Sequence, residues 1–151
     1  MADIAPFRGL RYNPAKVPDL SQVVIPPYDV ISPEEQAAFH ALSPYNLIRL
    51  ELGKASAGDA PDDNPHTRAA GFLRQWQESG VLIREETPAI YSYEVDYEAL
   101  GQKRTRKGIL CLLRLEDFSA GKVLPHEKTF REIKAERLGL TAACEANLSP
   151  V

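Results

Sequence analysis

The 151 residues of this chain are enough for one globular domain with a sizeable core. Hydrophobic residues make up 44% of the sequence and charged residues 26%, which excludes an intrinsically disordered chain. The formal net charge of −3 excludes a molecule-wide positive field, so we expect this part of the protein to bind neither membranes nor nucleic acid.

Short signals in the sequence narrow the class of protein further. There is no apolar run of about 18 residues and no signal-peptide pattern, so a cytoplasmic location is expected. Cys111 and Cys144 are too few for a disulfide framework and predict free, buried thiols. The three histidines lack metal-ligand spacing, so no metal site is predicted. The oligomeric state stays open.

The first half of the chain predicts two strands, a brief β-branched run and one well-marked helix. Residues 4–12 indicate a short strand with a bulge near Gly9, and residues 23–25 are a β-branched run stopped by two prolines. A helix is predicted from Ser32 to about Leu42, because Ser32, Pro33 and Glu35 form a capping box with proline at the first helical position. Residues 47–52 predict a second strand, and residues 53–64 a surface loop.

The second half predicts two more helices and a β-hairpin. The helix beginning at Asn64-Pro65 carries an apolar stripe that ends at Trp76, and Gly80 closes it. Residues 81–84 and 89–97 predict strands, and the second of these has a tyrosine face directed inward. After a turn at 100–102, residues 103–115 predict its partner strand, whose apolar end is expected to be central in a sheet. A last helix is predicted from a capping box at Thr129 to about residue 146. The expected fold is α+β, one domain with a mixed, mainly antiparallel sheet and about three helices.

The strongest candidate site lies just before the last predicted helix. His126, Glu127, Lys128 and Thr129 immediately precede a helix start, where free amides and the helix dipole favour anions. The helix adds three cations at threefold spacing, which places Arg131, Lys134 and Arg137 along one side. This pattern predicts a phosphate site. The alternative is a solvated helix face with ordinary ion pairs and a histidine that anchors a loop.

Two other groups of residues are weaker candidates. In Pro26-Pro27-Tyr28-Asp29 a double proline can hold Tyr28 and Asp29 at a rigid strand end, which suits a binding site, although the prolines can equally just end an edge strand while Asp29 satisfies a turn. Asn46 with Arg49 is a further polar pair that could bind substrate or phosphate. The sequence contains none of the common templates such as a P-loop or a nucleophile elbow.

The ordered motifs of this chain resemble those of the bacterial and archaeal family called domain of unknown function 1015. The resemblance rests on PFRGLRYNP from residue 6, PPYDVIS from residue 26, SPYN from residue 43, VLPHEKT from residue 123, Lys134, Arg137, and NLSP from residue 147. That family is in turn distantly similar to the ParB/sulfiredoxin superfamily, which includes free-serine kinases and nucleotide-binding partition proteins.

The resemblance implies a function that residue patterns alone do not reach. It implies that this chain is the N-terminal part of a longer phosphotransfer enzyme, a small-molecule kinase related to free-serine kinases, using ADP or ATP with Mg²⁺ in the full-length protein. Asp29, His126 or Glu127 would serve in catalysis, and the cations with Thr129 and Asn46 would bind substrate or phosphate. The Asp-Gly-His-His-Arg motif shared with those kinases is missing here, so we expect this part to be inactive alone. The alternative is a non-catalytic nucleotide-binding or ParB-like regulatory module.

Overall fold

The computed structural model describes residues 1–125, 128 and 130–148. By its internal contacts the chain divides into two compact units. The hairpin unit comprises Met1–Leu10 and Arg84–Lys128, and the helical unit comprises Arg11–Ile83 and Thr129–Val151. Helices and small sheets coexist in the described residues, which confirms the α+β class. No described helix has the length and apolar character needed to cross a membrane.

The described part of the helical unit contains four α-helices, and two of them begin as the capping signals predict. Helix α1 spans Pro33–Leu42, with Ser32 and Glu35 forming the reciprocal capping box. Helix α3 spans Pro65–Glu78, and the Asn64 side chain accepts hydrogen bonds from the two amides of its first turn.

Helix α2, Ile48–Glu51, lies where the sequence predicted a strand, and that prediction is wrong. Arg49 and Glu51 at alternate positions of an apolar segment favoured a strand. In the helical backbone Glu51 instead turns toward the interior, with Ile48 and Leu50, and is 3% exposed. The segment is too short for periodicity to distinguish the two backbones, and packing against α3 decides in favour of the helix.

The core of the helical unit forms around Trp76 on α3. Trp76 is 2% exposed and has Tyr12 and Tyr45 as aromatic neighbours at centroid distances of 6.3 and 6.1 Å. Such tilted and edge-on pairs stabilise a core beyond the apolar area they bury. The β-branched run at residues 23–25 forms no strand, but Val23 is 1% exposed and belongs to this core.

Helix α4 spans Arg131–Cys144, so the predicted last helix is confirmed within a few residues. Phe130 is the residue before its first turn and supplies no side-chain cap. The capping box predicted at Thr129 falls on a residue outside the described ones. The helix ends at Glu145, whose backbone is left-handed with φ of 51°. Helix α4 packs against α3 and buries Leu140.

The hairpin unit contains two antiparallel strand pairs. Strands β4 (Tyr91–Ala99) and β5 (Gln102–Leu110) form a long hairpin, and β1 (Ile4–Ala5) pairs with β6 (Leu112–Leu113). A third pair, β2 (Leu10–Tyr12) with β3 (Leu82–Arg84), lies mostly in the helical unit. The predicted turn after Ala99 is confirmed, because Leu100 and Gly101 both have positive φ.

Three details of the strand prediction are corrected. Residues 4–12 form two strands, and between them Gly9 lies against Tyr91, whose hydroxyl accepts a hydrogen bond from the Gly9 amide at 2.8 Å. Residues 103–115 are also divided, and β5 belongs to a two-stranded sheet rather than a central position. The tyrosine face of β4 is packed at Tyr91, which contacts Phe7, but not farther along, since Tyr93 and Tyr97 are 49% and 46% exposed. Both cysteines are free and half-buried rather than fully buried.

Candidate functional site

Arg137 on α4 is the centre of a charged cluster in the helical unit. One of its terminal nitrogens donates to the Glu51 carboxylate at 2.9 Å, and the other donates to the Glu51 backbone carbonyl at 2.8 Å. The Glu51 side chain is only 2% exposed, whereas that of Arg137 is 22% exposed. A charge buried so deeply needs a partner, so Arg137 is what makes the buried position of Glu51 tolerable.

The same guanidinium stacks on Tyr28, which belongs to the Pro26-Pro27-Tyr28-Asp29 motif. Its carbon lies 3.9 Å from the centre of the Tyr28 ring, a distance typical of a strong cation–π contact. Tyr28 and Asp29 lie in the single 3₁₀ turn Tyr28–Val30, which Pro27 precedes. Arg137 therefore holds in place the turn that carries Asp29, whose own side chain is exposed.

Glu136 and His66 complete the group that we call the Arg137 cluster: Tyr28, Glu51, His66, Glu136 and Arg137. Glu136 accepts hydrogen bonds from Arg137, one of them at 2.9 Å, and lies 3.2 Å from the His66 Nε2. His66 belongs to the first turn of α3, so this contact connects α3 to α4. Gly139 allows the two helices to approach here, because a Cβ added there would lie 2.9 Å from the His66 ring.

Charges within the cluster shift its pKa values in opposite directions. Burial alone lowers the pKa of Arg137, but the hydrogen bond and charge of Glu136 and the charge of Glu51 outweigh it and raise that pKa. Burial likewise raises the pKa of Glu136, but the hydrogen bond and charge of Arg137 dominate, so the pKa lies below its ordinary value. One cation thus faces two carboxylates, and a phosphate approaching Arg137 would compete with both.

Cys144 and one oxygen of Glu51 are the other polar groups at the buried end of the cluster. Burial, followed by the charge of Glu51, raises the pKa of the Cys144 thiol, so this cysteine is protonated and a poor nucleophile at neutral pH. Among the described residues the buried Oε1 of Glu51 has no hydrogen-bond partner. The buried end of the cluster is closed to solvent, whereas Asp29, next to Tyr28, is exposed.

Asn46 and Arg49 make their contacts inside the protein. Asn46 is fully buried; its amide donates to the Gln22 carbonyl at 2.9 Å, and its oxygen accepts from the Ile48 amide at 3.0 Å. Arg49 donates to the carbonyls of Pro44 and His40 at 3.0 and 2.7 Å, and also contacts the His40 ring. These contacts position α2 and its Glu51. The ligand-binding role predicted for Asn46 and Arg49 stays a prediction.

The remaining predicted site residues fall into two groups. Arg131 and Lys134 are exposed on the first two turns of α4, in the same row as Arg137, so the predicted alignment along one side of the helix agrees with the observed helix. Lys128 is exposed and belongs to the hairpin unit. His126, Glu127 and Thr129 lie outside the described residues.

Sequence reasoning did not identify Glu51, His66 and Glu136 as members of this group. Glu51 counted only as an alternating position of a predicted strand, and His66 was considered only as a possible metal ligand. The described residues contain no group of three or more potential ligands for a metal ion. One signal for Glu51 was available: Leu47 and Ile48 precede it by four and three positions, a spacing that also suits a buried helical turn.

Comparison with known proteins agrees with the motifs that the fold brings together. The model of the family described as protein of unknown function (DUF1015) matches residues 4–151, and the chain belongs to this family. No curated protein and no solved structure matches the chain. The relation to the ParB/sulfiredoxin superfamily has no support among these matches and remains a proposal.

Proposed function

We propose that the helical unit forms the substrate-binding part of a phosphotransfer enzyme that phosphorylates a hydroxyl group of a small molecule such as serine. The observation that carries the proposal is the contact between Arg137 and Tyr28. It joins two segments that are far apart in the sequence. Each of them carries one of the motifs on which the family resemblance rests. Such convergence is expected of motifs that serve one site.

Asp29 is the residue to which we assign the general-base role. It is exposed, carries a carboxylate, and lies in a turn held by Pro27 on one side and by the Tyr28–Arg137 stack on the other. A base held in this way can accept the proton of a substrate hydroxyl as that oxygen attacks phosphorus. Arg137 is a positioning residue in this proposal.

Arg131 and Lys134 are the cations that we assign to the transferred phosphate. Both are exposed on α4, and successive members of this row are three residues, or about 4.5 Å along the helix axis, apart. Arg137 is a poorer candidate than the sequence predicted, because two carboxylates already neutralise it. The roles predicted for His126, Glu127, Lys128 and Thr129 remain sequence predictions.

The described residues do not by themselves fit the nucleotide and Mg²⁺ that the resemblance implies. They contain no group of three carboxylate, histidine or cysteine side chains that could hold a metal ion. The phosphate-gripping motif of the free-serine kinases is also not in this sequence. No step of the proposal is therefore assigned to a metal or to a nucleotide contact.

The decisive experiment uses the full-length protein with serine and either ADP or ATP, with phosphoserine measured by mass spectrometry. Asp29→Asn should lower the turnover number at least 100-fold. Lys134→Ala should raise the KM for the phosphate donor, whereas Lys103→Ala, an exposed lysine of the hairpin, should change neither constant. Absence of product over a panel of hydroxyl-bearing small molecules would contradict the proposal, and nucleotide binding without any product would favour the regulatory module.

A further inference from the structure

The β4–β5 hairpin has two faces of different chemistry. The register places Lys107 opposite Glu94, Thr105 opposite Asp96 and Lys103 opposite Glu98, so positive and polar groups on one face meet carboxylates. Lys107 lies 3.3 Å from Glu94, and the Thr105 hydroxyl donates to Asp96 at 2.7 Å. Charges on this face are compensated within the hairpin.

The opposite face carries cations that no carboxylate of the hairpin opposes. We call it the Tyr/Arg face: Tyr93, Val95, Tyr97, Arg104 and Arg106. Arg104 lies opposite Tyr97 and Arg106 opposite Val95, and both arginines are exposed. Arg104 donates to its neighbour Gln102 at 3.2 Å, a neutral partner. Tyrosine and arginine are the residue types most enriched at energetically important protein interfaces.

Strand β5 also offers an open edge. Every residue from Gln102 to Ile109 is exposed, and within the described part of the chain β4 is the strand that pairs with it. In an antiparallel ladder every second residue directs its N–H and C=O away from its partner strand. The outer edge of β5 therefore presents a row of unused backbone donors and acceptors, which is the template for addition of another strand.

The cations on β5 determine which kind of strand can bind at its open edge. Of the four cations on β5, Lys103 and Lys107 lie opposite carboxylates, whereas Arg104 and Arg106 do not. These two arginines repel a second β5 strand, which makes a symmetric pair of copies a poor fit. They attract an extended segment with carboxylates at alternate positions, since alternate side chains on a strand lie about 7 Å apart, like Arg104 and Arg106 themselves. The net charge of −3 on the chain as a whole disfavours nucleic acid as the occupant.

We propose that the β5 edge and the Tyr/Arg face bind an acidic, extended segment of a partner protein by strand addition. The backbone of the segment pairs with β5, its alternate carboxylates approach Arg104 and Arg106, and apolar side chains of the partner cover Tyr93 and Tyr97. This inference is independent of the proposed phosphotransfer activity, because it concerns only the hairpin unit.

The test uses the whole chain and a fluorescein-labelled nine-residue peptide that alternates Glu and Val. Fluorescence anisotropy should show saturable binding that weakens at 0.5 M salt, as expected for an interaction between exposed charges. Arg104→Glu/Arg106→Glu should weaken binding at least tenfold. The control Lys54→Glu/Arg74→Glu changes the net charge equally, at exposed positions of the helical unit, and should leave binding within twofold. If the double glutamate variant loses the hairpin circular-dichroism signal, Arg104→Gln/Arg106→Gln replaces it.

A second peptide separates strand addition from simple charge attraction. N-methylation of alternate peptide amides removes the backbone donors and keeps every side chain, so it should abolish binding if the peptide adds as a strand. Undiminished binding of the methylated peptide would overturn the proposal. So would tighter binding of a fluorescein-labelled nine-nucleotide thymidine strand, which would point to nucleic acid, or concentration-dependent self-association that blocks the peptide, which would point to a second copy.

Discussion

Arg137 and Tyr28 lie 109 positions apart in the sequence, yet the Arg137 guanidinium carbon is 3.9 Å from the centre of the Tyr28 ring. The contact connects α4 to a 3₁₀ turn that has no side-chain cap of its own. Because the guanidinium also pairs with buried Glu51, one side chain connects a surface turn to the core of the helical unit. Stability and site geometry are therefore coupled at Arg137.

Replacing Arg137 should be costly because it leaves Glu51 buried without its partner. We expect Arg137→Met to lower the free energy of unfolding by about 3 kcal/mol, the usual cost of removing one member of a buried pair. Glu51→Leu in the same chain should recover most of this loss, since no uncompensated charge then remains. Urea denaturation followed by tryptophan fluorescence measures both.

Lys134→Met is the matched control for that substitution. Lys134 is an exposed cation on the same helix, and its replacement should change the free energy of unfolding by less than about 0.5 kcal/mol. Equal losses for Lys134→Met and Arg137→Met would show that the Glu51 ion pair is not what stabilises the unit.

His40 should make stability depend on pH. Burial, and then the charges of Arg49 and Lys54, lower its pKa from 6.5 to about 4. Below pH 6.5 the unfolded chain binds a proton that the folded chain excludes, so the free energy of unfolding should fall as the pH drops from 6.5 toward 4. Denaturant titrations at several pH values should show this slope in the native chain and a shallower one in His40→Gln. Parallel slopes would contradict the assignment.

Two helical glycines should respond differently to alanine. At Gly139 an added Cβ lies 2.9 Å from the His66 ring, so the ring has to shift and its contact with Glu136 weakens, and Gly139→Ala should lack the stabilisation that alanine usually brings to a helix. At Gly71 on α3 the Cβ meets nothing within 4 Å, and Gly71→Ala should stabilise by about 0.5–1 kcal/mol because alanine favours the helix. Thermal unfolding distinguishes the two. Removing the ring with His66→Ala should restore the stabilisation by Gly139→Ala.

The turn of the hairpin contains an unfavourable residue. Leu100 has φ of 54° and is 95% exposed. It adopts an unfavourable left-handed backbone, and no packing of its side chain offsets the cost. Leu100→Asn should stabilise the hairpin by about 1 kcal/mol, because asparagine tolerates this backbone and forms the preferred Asn-Gly turn with Gly101. Amide hydrogen exchange of β4 and β5 would measure the gain. Leu115→Asn, at another fully exposed leucine, should leave exchange unchanged.

Local signals were sufficient to predict the elements whose ends are chemically marked. The Ser32 capping box, the Asn64 cap with its apolar stripe and the turn beside Gly101 all lie where the sequence indicated. Each depends on contacts between residues only a few positions apart. Such local contacts do not depend on the packing of the rest of the chain, so they can be predicted from the sequence alone.

Short segments without such marks were assigned less well. Residues 47–52 became a helix because α3 offers an apolar surface to Ile48 and Leu50. Tyr93 and Tyr97 of β4 stayed exposed because no described part of the chain covers them. An alternation of apolar residues shows that one face of a strand can be buried, but burial requires another element to pack against that face. Whether such an element is present depends on the tertiary structure.

By itself the sequence determined the α+β class, two long helices with their caps, the hairpin with its turn, and the family to which the motifs belong. Only the tertiary structure decided that Arg137 forms an ion pair with buried Glu51 and a cation–π contact with Tyr28. Arg131 and Lys134 are therefore the exposed cations of that helix row. The physical reason is that a charge pattern along a helix specifies which side chains share a side, whereas their partners come from segments many positions away.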